Sequence, residues 1–292
     1  MISSMDAVII GNPHSGRASD ESRLERYADI LRSGGLKTKV LNTEYPDHAT
    51  ELAAEAGDRL VVAAGGDGTV NEVVNGLHKE ATLGVLPLGT ANVLARELGL
   101  PLKPERACYR ILEGKPSRID LGVATNRHGE ERRFTFVAGI GFDANVIYTV
   151  TPRLKRYLKA LAFALTAFRV YAEEEFPAIH LHHGDTIYVT QFVILANGRY
   201  YGGDFRVARD GSLTSGELEA ILVERISALL RPDILGRILA RQPLNSSMRS
   251  FGAREVSARS PGAEVPVQID GELWGRLPMS FHIEPSALKV LR

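Results

Sequence analysis

Along the first third of the chain, short apolar runs alternate with amphipathic stretches. Residues 7–10, 60–64 and 82–87 are mainly apolar runs of strand length, and residues 37–41 read as a further strand. The stretches between them carry apolar positions at helical spacing. These are residues 21–33, residues 48–56, and a segment with Val70, Val73, Val74 and Leu77 on one face. Further helices are predicted from the turn at Asn92 through Leu98 and over residues 105–113, punctuated by Pro101, Pro104 and Pro116. Strand alternating with helix predicts an α/β domain.

From Ser117 the texture changes. Residues 119–124, 133–138, 187–195, 217–223, 251–256, 265–269 and 279–283 are β-type runs separated by Gly, Asn, His and Pro turns. Such a series predicts a second, mainly antiparallel β-sandwich domain. The boundary falls between Pro116 and Leu121. This gives domains over residues 1–118 and 119–292, with the last residues free to return to the first. Two amphipathic segments interrupt the β pattern. Residues 151–171 are basic at Arg153, Lys155, Arg156 and Lys159, and apolar at Leu154, Leu158, Leu161 and Phe168. Residues 225–241 have the same character, with Pro232 marking a helix start. Each can pack on the β domain or lie on an anionic lipid surface.

The chemistry concentrates where apolar runs end in small residues. The run Leu60–Val61–Val62–Ala63–Ala64 breaks into Gly65, Gly66, Asp67, Gly68 and Thr69, then resumes as a helix. Strand, glycine turn and helix bring backbone N–H groups to a phosphate at a helix N-terminus. Glycines there remove obstructing side chains, and Thr69 can cap the helix. Asp67 is a carboxylate among anion-seeking amides, which makes sense if a metal ion or a hydroxyl proton is also present. The alternative is a tight loop with Asp67 as a local cap. The string is neither a Walker loop nor a GxGxxG fingerprint. A second turn, Leu88–Gly89–Thr90–Ala91–Asn92, also follows a strand and opens a helix. Two such turns can face one crevice at the carboxyl ends of the strands.

GGDGTVNEVVNG, together with GNPHSGR, LPLGTANVLARELGLP, IDLG, GFDANV and IDGE, resembles the diacylglycerol kinase catalytic-domain family. That family includes the YegS- and BmrU-like bacterial lipid kinases and the sphingosine and ceramide kinases. The resemblance covers nearly the whole chain. It implies a Rossmann-like α/β nucleotide-binding domain of the NAD kinase and diacylglycerol kinase type, followed by the β-sandwich. It implies an ATP-dependent lipid kinase. Nucleotide contacts carry over to Asn12, Ser15, Gly16, Thr43, Gly65, Gly66, Asp67, Gly68, Thr69, Val70, Asn71, Gly89 and Thr90. Mg2+ contacts carry over to Asp67 and Asp120, the latter through water. Glu272 carries over as the proton acceptor from the lipid hydroxyl, possible help coming from Asp67, so that these two acids are expected to meet one triphosphate. Asp143 is expected either to contact substrate or to cap the next helix. Two departures stand out: Val93 replaces a family aspartate, and Ser215 replaces a carboxylate of the family's structural Mg2+ site, for which Asp210 is a nearby substitute. An NAD kinase-like enzyme acting on a soluble acceptor, and a binding protein that has lost catalysis, are the alternatives.

Bulk composition narrows the partners. The chain has 292 residues, 44% of them hydrophobic, with 35 basic residues against 35 acidic. That balance gives no basic excess for nucleic acid. Its single cysteine, Cys108, excludes an internal disulfide and fits a reducing, cytoplasmic setting. No secretory signal and no membrane span are expected, so contact with the inner membrane face would be peripheral. A homodimer is compatible with this reading.

Overall fold

A computed structural model of the chain describes residues 6–12, 21–149, 176–203, 205–209, 211–240, 242–243 and 248–292. The chain forms two compact units. One comprises Met1–Leu121, Tyr200–Asp204 and Glu284–Arg292, and the other Gly122–Arg199 and Phe205–Ile283.

The first unit alternates β1 (Asp6–Gly11), α1 (Glu21–Ser33), β2 (Lys37–Asn42), α2 (His48–Glu55), β3 (Leu60–Gly65), α3 (Asp67–Gly76) and β4 (Thr82–Pro87). Then come α4 (Val93–Glu97) and α5 (Pro104–Glu113). The strands lie in the order β2-β1-β3-β4, all parallel. The end of the chain adds a strand beside β4, with Lys289 and Val290 opposite Thr82 and Leu83. Every residue of β3 and β4 is buried, which is why they read as unbroken apolar runs rather than as alternation. Leu24, Ala28 and Leu31 of α1, spaced by four and three, pack with Ala107, Cys108 and Ile111 of α5 over Ile9, Val62 and Leu86. Helices α2 and α3 pack together through Gly76, which abuts the Thr50 backbone. The Glu72 carboxylate there accepts the Ala49 N–H at 3.2 Å, and Thr50 Oγ1 donates to the Glu72 carbonyl at 2.9 Å.

β5 (Pro116–Asn126) runs from the first unit into the second. There follow β6 (Glu131–Phe134), β7 (Val137–Gly141), α6 (Phe142–Thr149), β8 (Ile179–His183), β9 (Thr186–Thr190) and β10 (Phe192–Ala196). Next are the two-residue strands β11 (Tyr200–Tyr201) and β12 (Phe205–Arg206), then β13 (Leu218–Val223), a 3-10 turn (Ile226–Leu230) and α7 (Pro232–Leu239). The chain closes with β14 (Arg249–Ala253), β15 (Glu255–Arg259), β16 (Pro266–Ile269), β17 (Glu272–Arg276) and β18 (Met279–Leu291). In the second unit one sheet runs β14-β13-β10-β7-β16-β17, and a second contains β18-β15-β8-β9. Leu181, Val193, Leu195, Ala258, Val267 and Phe281 belong to one buried cluster there. This is a mainly antiparallel β-sandwich following a parallel α/β unit.

The structure refines several expected elements. The run 133–138 is two strands, interrupted at Thr135–Phe136, whose amides turn to a buried carboxylate. The run 187–195 divides at Gln191 into β9 and β10, and the run 251–256 divides at Arg254 into β14 and β15. In each case the two strands belong to different sheets. Apolar periodicity continues through such a corner, so it does not mark one. The expected turn at 139–146 is the end of β7 followed by α6. β8 and β17 are additional strands. β17 is largely exposed, so it lacks the apolar signal. The amphipathic segment 225–241 is a 3-10 turn and then α7, which starts at Pro232 as expected. The segment 151–171 lies outside the described residues.

Candidate active site

Four adjacent parallel strands end on one edge of the first sheet. Gly11 is in register with Asn42 and Ala64, and Gly65 with Pro87. Asn12, Thr43, Gly66 and Leu88–Gly89 therefore follow the carboxyl ends of neighbouring strands, where open α/β sheets bind ligands. Thr43 is buried, and its N–H donates to the Gly11 carbonyl at 2.9 Å. Ser15 and Gly16 lie outside the described residues.

The two glycine turns are joined. Leu88 and Gly89 N–H groups donate to the Gly65 carbonyl at 2.9 and 3.2 Å. The backbones approach so closely that a β-carbon on Gly89 would lie 2.5 Å from the Gly66 α-carbon. Asn92, in the left-handed region at φ 49°, clamps Gly89. Its Oδ1 accepts the Gly89 N–H at 3.0 Å and its Nδ2 donates to the Gly89 carbonyl at 2.9 Å. Asp67 Oδ1 accepts the Val93 N–H at 2.6 Å. Burial pushes the Asp67 carboxyl above its ordinary value, and the amides of Val93, Asn92 and Leu94 oppose that rise. Asp67 thus opens α3 while its carboxylate serves the start of α4.

Thr69 does not cap α3. The N-cap position is Gly66, with no side-chain cap bond, and Thr69 is buried beside Gly65. Val70 and Asn71 are also buried, and Asn75 Nδ2 donates to the Asn71 carbonyl at 2.9 Å. Gly68 is half-buried and Thr90 exposed. The first-turn N–H groups of α3 have no acceptor within the helix and carry the positive end of its dipole. Tyr200 returns to this unit, its N–H donating to Glu97 Oε1 on α4 at 2.7 Å.

Asp120, on β5, is buried, and its Oδ1 accepts the Ser286 N–H at 2.7 Å. Among the described residues no cluster of three or more His, Cys, Asp or Glu could hold a metal ion alone. The carboxylates available there, half-buried Asp67 and buried Asp120, suit Mg2+ arriving on nucleotide phosphates better than a protein-only cage. Ser215 Oγ lies within hydrogen-bond reach of the Ser212 and Glu217 carbonyls, at 3.1 and 2.9 Å, and its one proton serves either, so its hydroxyl builds a turn. Asp210 lies outside the described residues.

In the second unit the Asp-Gly-Glu turn joins β16 to β17. Asp270 and Gly271 both have positive φ, 49° and 89°. Asp270 Oδ2 accepts the Thr135 N–H and Oγ1–H at 2.8 and 2.9 Å. Its Oδ1 accepts the N–H groups of Phe136 and Val137 at 3.1 and 3.0 Å. Burial pushes this carboxyl up to about 6, against the opposing pull of those donors. The Gly271 N–H donates to Gln268 Oε1 at 2.7 Å, and Gln268 Nε2 donates to Asp143 Oδ2 at 2.9 Å. Asp143 is therefore buried behind the turn, where it holds Gln268. Glu272 stands exposed on this anchored turn and pairs with Arg132 of β6 at 3.1 Å. Asp270, Asn92 and Arg132 had no role assigned from sequence. Asp270 had a local signal, the glycine that follows it; Asn92 and Arg132 had none.

The α/β unit followed by a sandwich is the diacylglycerol kinase fold. A crystal structure of a diacylglycerol kinase from Bacillus anthracis superposes with a TM-score of 0.79, covering 98% of this chain and 96% of that one at 22% identity. A second crystal structure from the same organism gives 0.83 at 23% identity, covering 98% and 95%. Family models match for the diacylglycerol kinase catalytic domain over residues 6–124 and for the YegS C-terminal NAD kinase beta sandwich-like domain over residues 136–292. The diacylglycerol kinase of Bacillus subtilis is 28% identical, covering 94% of this chain and 92% of its own length. That of Staphylococcus epidermidis is 29% identical, covering 95% and 90%. The chain belongs to the YegS-like family of bacterial lipid kinases and is an enzyme of that class. No helix among the described residues is long and apolar enough to cross a membrane.

Proposed function

We propose that the protein transfers the γ-phosphoryl group of ATP to the hydroxyl of a diacylglycerol-like lipid. The observation that carries this reading is the joined pair of glycine turns at the carboxyl edge of the sheet, with Gly66 against Gly89 and Asp67 tied to Val93. Phosphoryl transfer needs alignment and charge neutralisation more than covalent help. Amides of Gly66, Gly68 and Thr69 would cradle phosphate oxygens, where any side chain at Gly66 or Gly89 would intrude. Asn12, Thr43 and Thr90 follow strands or turns on the same edge and would line the nucleotide. Mg2+, held on the phosphates with Asp67 and Asp120 as direct or water-mediated contacts, would offset their negative charge.

Glu272 would accept the proton of the lipid hydroxyl. The hydroxyl oxygen then forms its bond to the γ-phosphorus, the bond to the β-bridging oxygen breaks, and its electron pair leaves with ADP. The Asp270 anchor presents Glu272, and Arg132 orients its carboxylate. Arg225 and Arg231, flanking the exposed Leu230, would support peripheral contact with the membrane that supplies the lipid. A homodimer is compatible with this scheme.

The test is transfer from labelled ATP to diacylglycerol, a sphingoid base, ceramide, phosphatidylglycerol and NAD, each offered separately. Labelled phosphatidic acid is the expected product. Label on NAD alone would transfer the assignment to a soluble acceptor. Nucleotide binding without transfer to any acceptor would mark a binding protein.

A further inference from the structure

The second unit carries a cavity of about 410 Å³ on its sheet surface, formed by the end of β5 with β8, β15 and β18. Its floor is a cross-strand row: Ser257 of β15 lies opposite Ser280 of β18 on one side and His182 of β8 on the other. Alternation explains the polarity. The neighbours Ala258, Met279 and Leu181 point into the sandwich core, so the serines and the histidine face outward. Two guanidinium groups, Arg127 and Arg259, stand among the lining residues, and no acidic side chain does.

Arg127 is placed rather than loose. Asn126 Oδ1 accepts the N–H groups of His128 and Glu130 at 2.9 and 3.1 Å, and its Nδ2 donates to Glu130 Oε2 at 2.7 Å. This closes the hairpin that carries Arg127, whose Nε donates to His128 Nε2 at 3.2 Å. Glu130 is thereby engaged with Asn126. Glu255 of β15 lies beyond Ser257 from Arg259 and is opposite His282, and Glu131 of β6 lies opposite Thr125 at the edge of the cavity. His182 Nε2 is enclosed and has no hydrogen-bond partner among the described residues. The site thus offers donors from a floor and from two sides, with two guanidinium groups and no acidic side chain in its lining.

We propose that this cavity binds a phosphate group, distinct from the nucleotide phosphates at the glycine turns. A tetrahedral oxyanion suits it better than a planar carboxylate. Its oxygens can meet two guanidinium groups and two hydroxyls from different directions at once. The phosphate can come from a soluble phosphate monoester or from the headgroup of an anionic lipid.

The test uses the full-length protein and an Arg127→Ala/Arg259→Ala variant, both substitutions being at exposed positions. Inorganic phosphate and glycerol 3-phosphate are titrated while the His182 imidazole resonance is followed, a probe remote in sequence from the glycine turns. Saturable shifts are expected, weakened at least about tenfold in the variant, as loss of charged hydrogen bonds predicts. Transfer to a short-chain diacylglycerol should stay unchanged. Sedimentation with phosphatidylcholine vesicles, with and without phosphatidic acid, then identifies the source. Pelleting that needs phosphatidic acid and falls in the variant assigns a lipid headgroup. Equal pelleting of both proteins, with phosphate binding still lost in the variant, assigns a soluble monoester. No saturable shift at His182, or shifts unaffected by the substitutions, would overturn the proposal.

Discussion

The Asp67 carboxylate accepts the Val93 N–H at 2.6 Å and so bridges the two glycine turns. Val93 stands where the family resemblance leads one to expect an acidic side chain, and its contribution here is made by backbone. An acid that opens one helix and serves the start of the next holds the turns in register. Removing it should cost order before chemistry. Asp67→Ala is expected to lower stability by about 1–2 kcal/mol, the scale of a lost helix cap. Asp67→Asn keeps an acceptor oxygen, so it should recover most of that stability in thermal melts. Its turnover should stay depressed if the carboxylate charge is needed at the phosphates. Full turnover in Asp67→Asn would confine the residue to a structural part.

Gly89 has no room for a side chain. A β-carbon would sit 2.5 Å from the Gly66 α-carbon, and two backbones would have to separate. Gly89→Ala should therefore destabilise the protein by about 1–3 kcal/mol, as overpacking does, and weaken nucleotide binding. Titration with a fluorescent ATP analogue checks this. Wild-type affinity in the variant would show that the turns can part without cost.

Glu272 stands on the turn anchored by Asp270 and, among the described residues, pairs with Arg132 at 3.1 Å. Glu272→Gln preserves shape but removes the proton acceptor. Turnover is expected to fall by about 10²–10⁴, with nucleotide affinity nearly unchanged. Equal turnover would remove Glu272 from the role of base.

Asp270 makes stability depend on pH with a defined sign. Its folded value of about 6 lies above the ordinary 3.8, so between the two the native state retains a proton that the unfolded chain has lost. Its contribution is full below about pH 4 and is lost as pH rises through about 6, with a slope of at most about 1.4 kcal/mol per pH unit. In urea melts, the advantage of the wild type over Asp270→Asn should narrow from pH 4 to pH 7. An advantage that widens over that range would mean that the four donors outweigh burial.

Cys108 is fully buried, and burial, with a smaller contribution from Glu105, pushes its thiol up to about 12. Alkylation at neutral pH should be negligible in the native protein and rapid in denaturant, because the thiolate is the reacting form. Prompt labelling of the native protein would show that α1 and α5 separate readily.

Most of the α/β unit was legible from its pattern. β3 and β4 are buried throughout, and α1 keeps Leu24, Ala28 and Leu31 on one face, so the apolar positions alone announce the elements. The glycine turns were legible as turns because glycine marks places where backbone must come close. The sandwich was less so. The runs at 187–195 and 251–256 each cross from one sheet to another, and an apolar side chain is equally at home in either.

Residue order by itself determined where the strands, helices and small-residue turns fall, because burial and backbone freedom are written locally in side-chain size and polarity. Tertiary structure decided what each polar side chain does. Thr69, a plausible cap by position, is packed away beside Gly65, while Asp67 reaches 26 positions forward to Val93 and Asp270 reaches back 135 positions to Thr135. A carboxylate bonds to whichever donors folding leaves nearby, and those donors come from distant segments that no local pattern encodes.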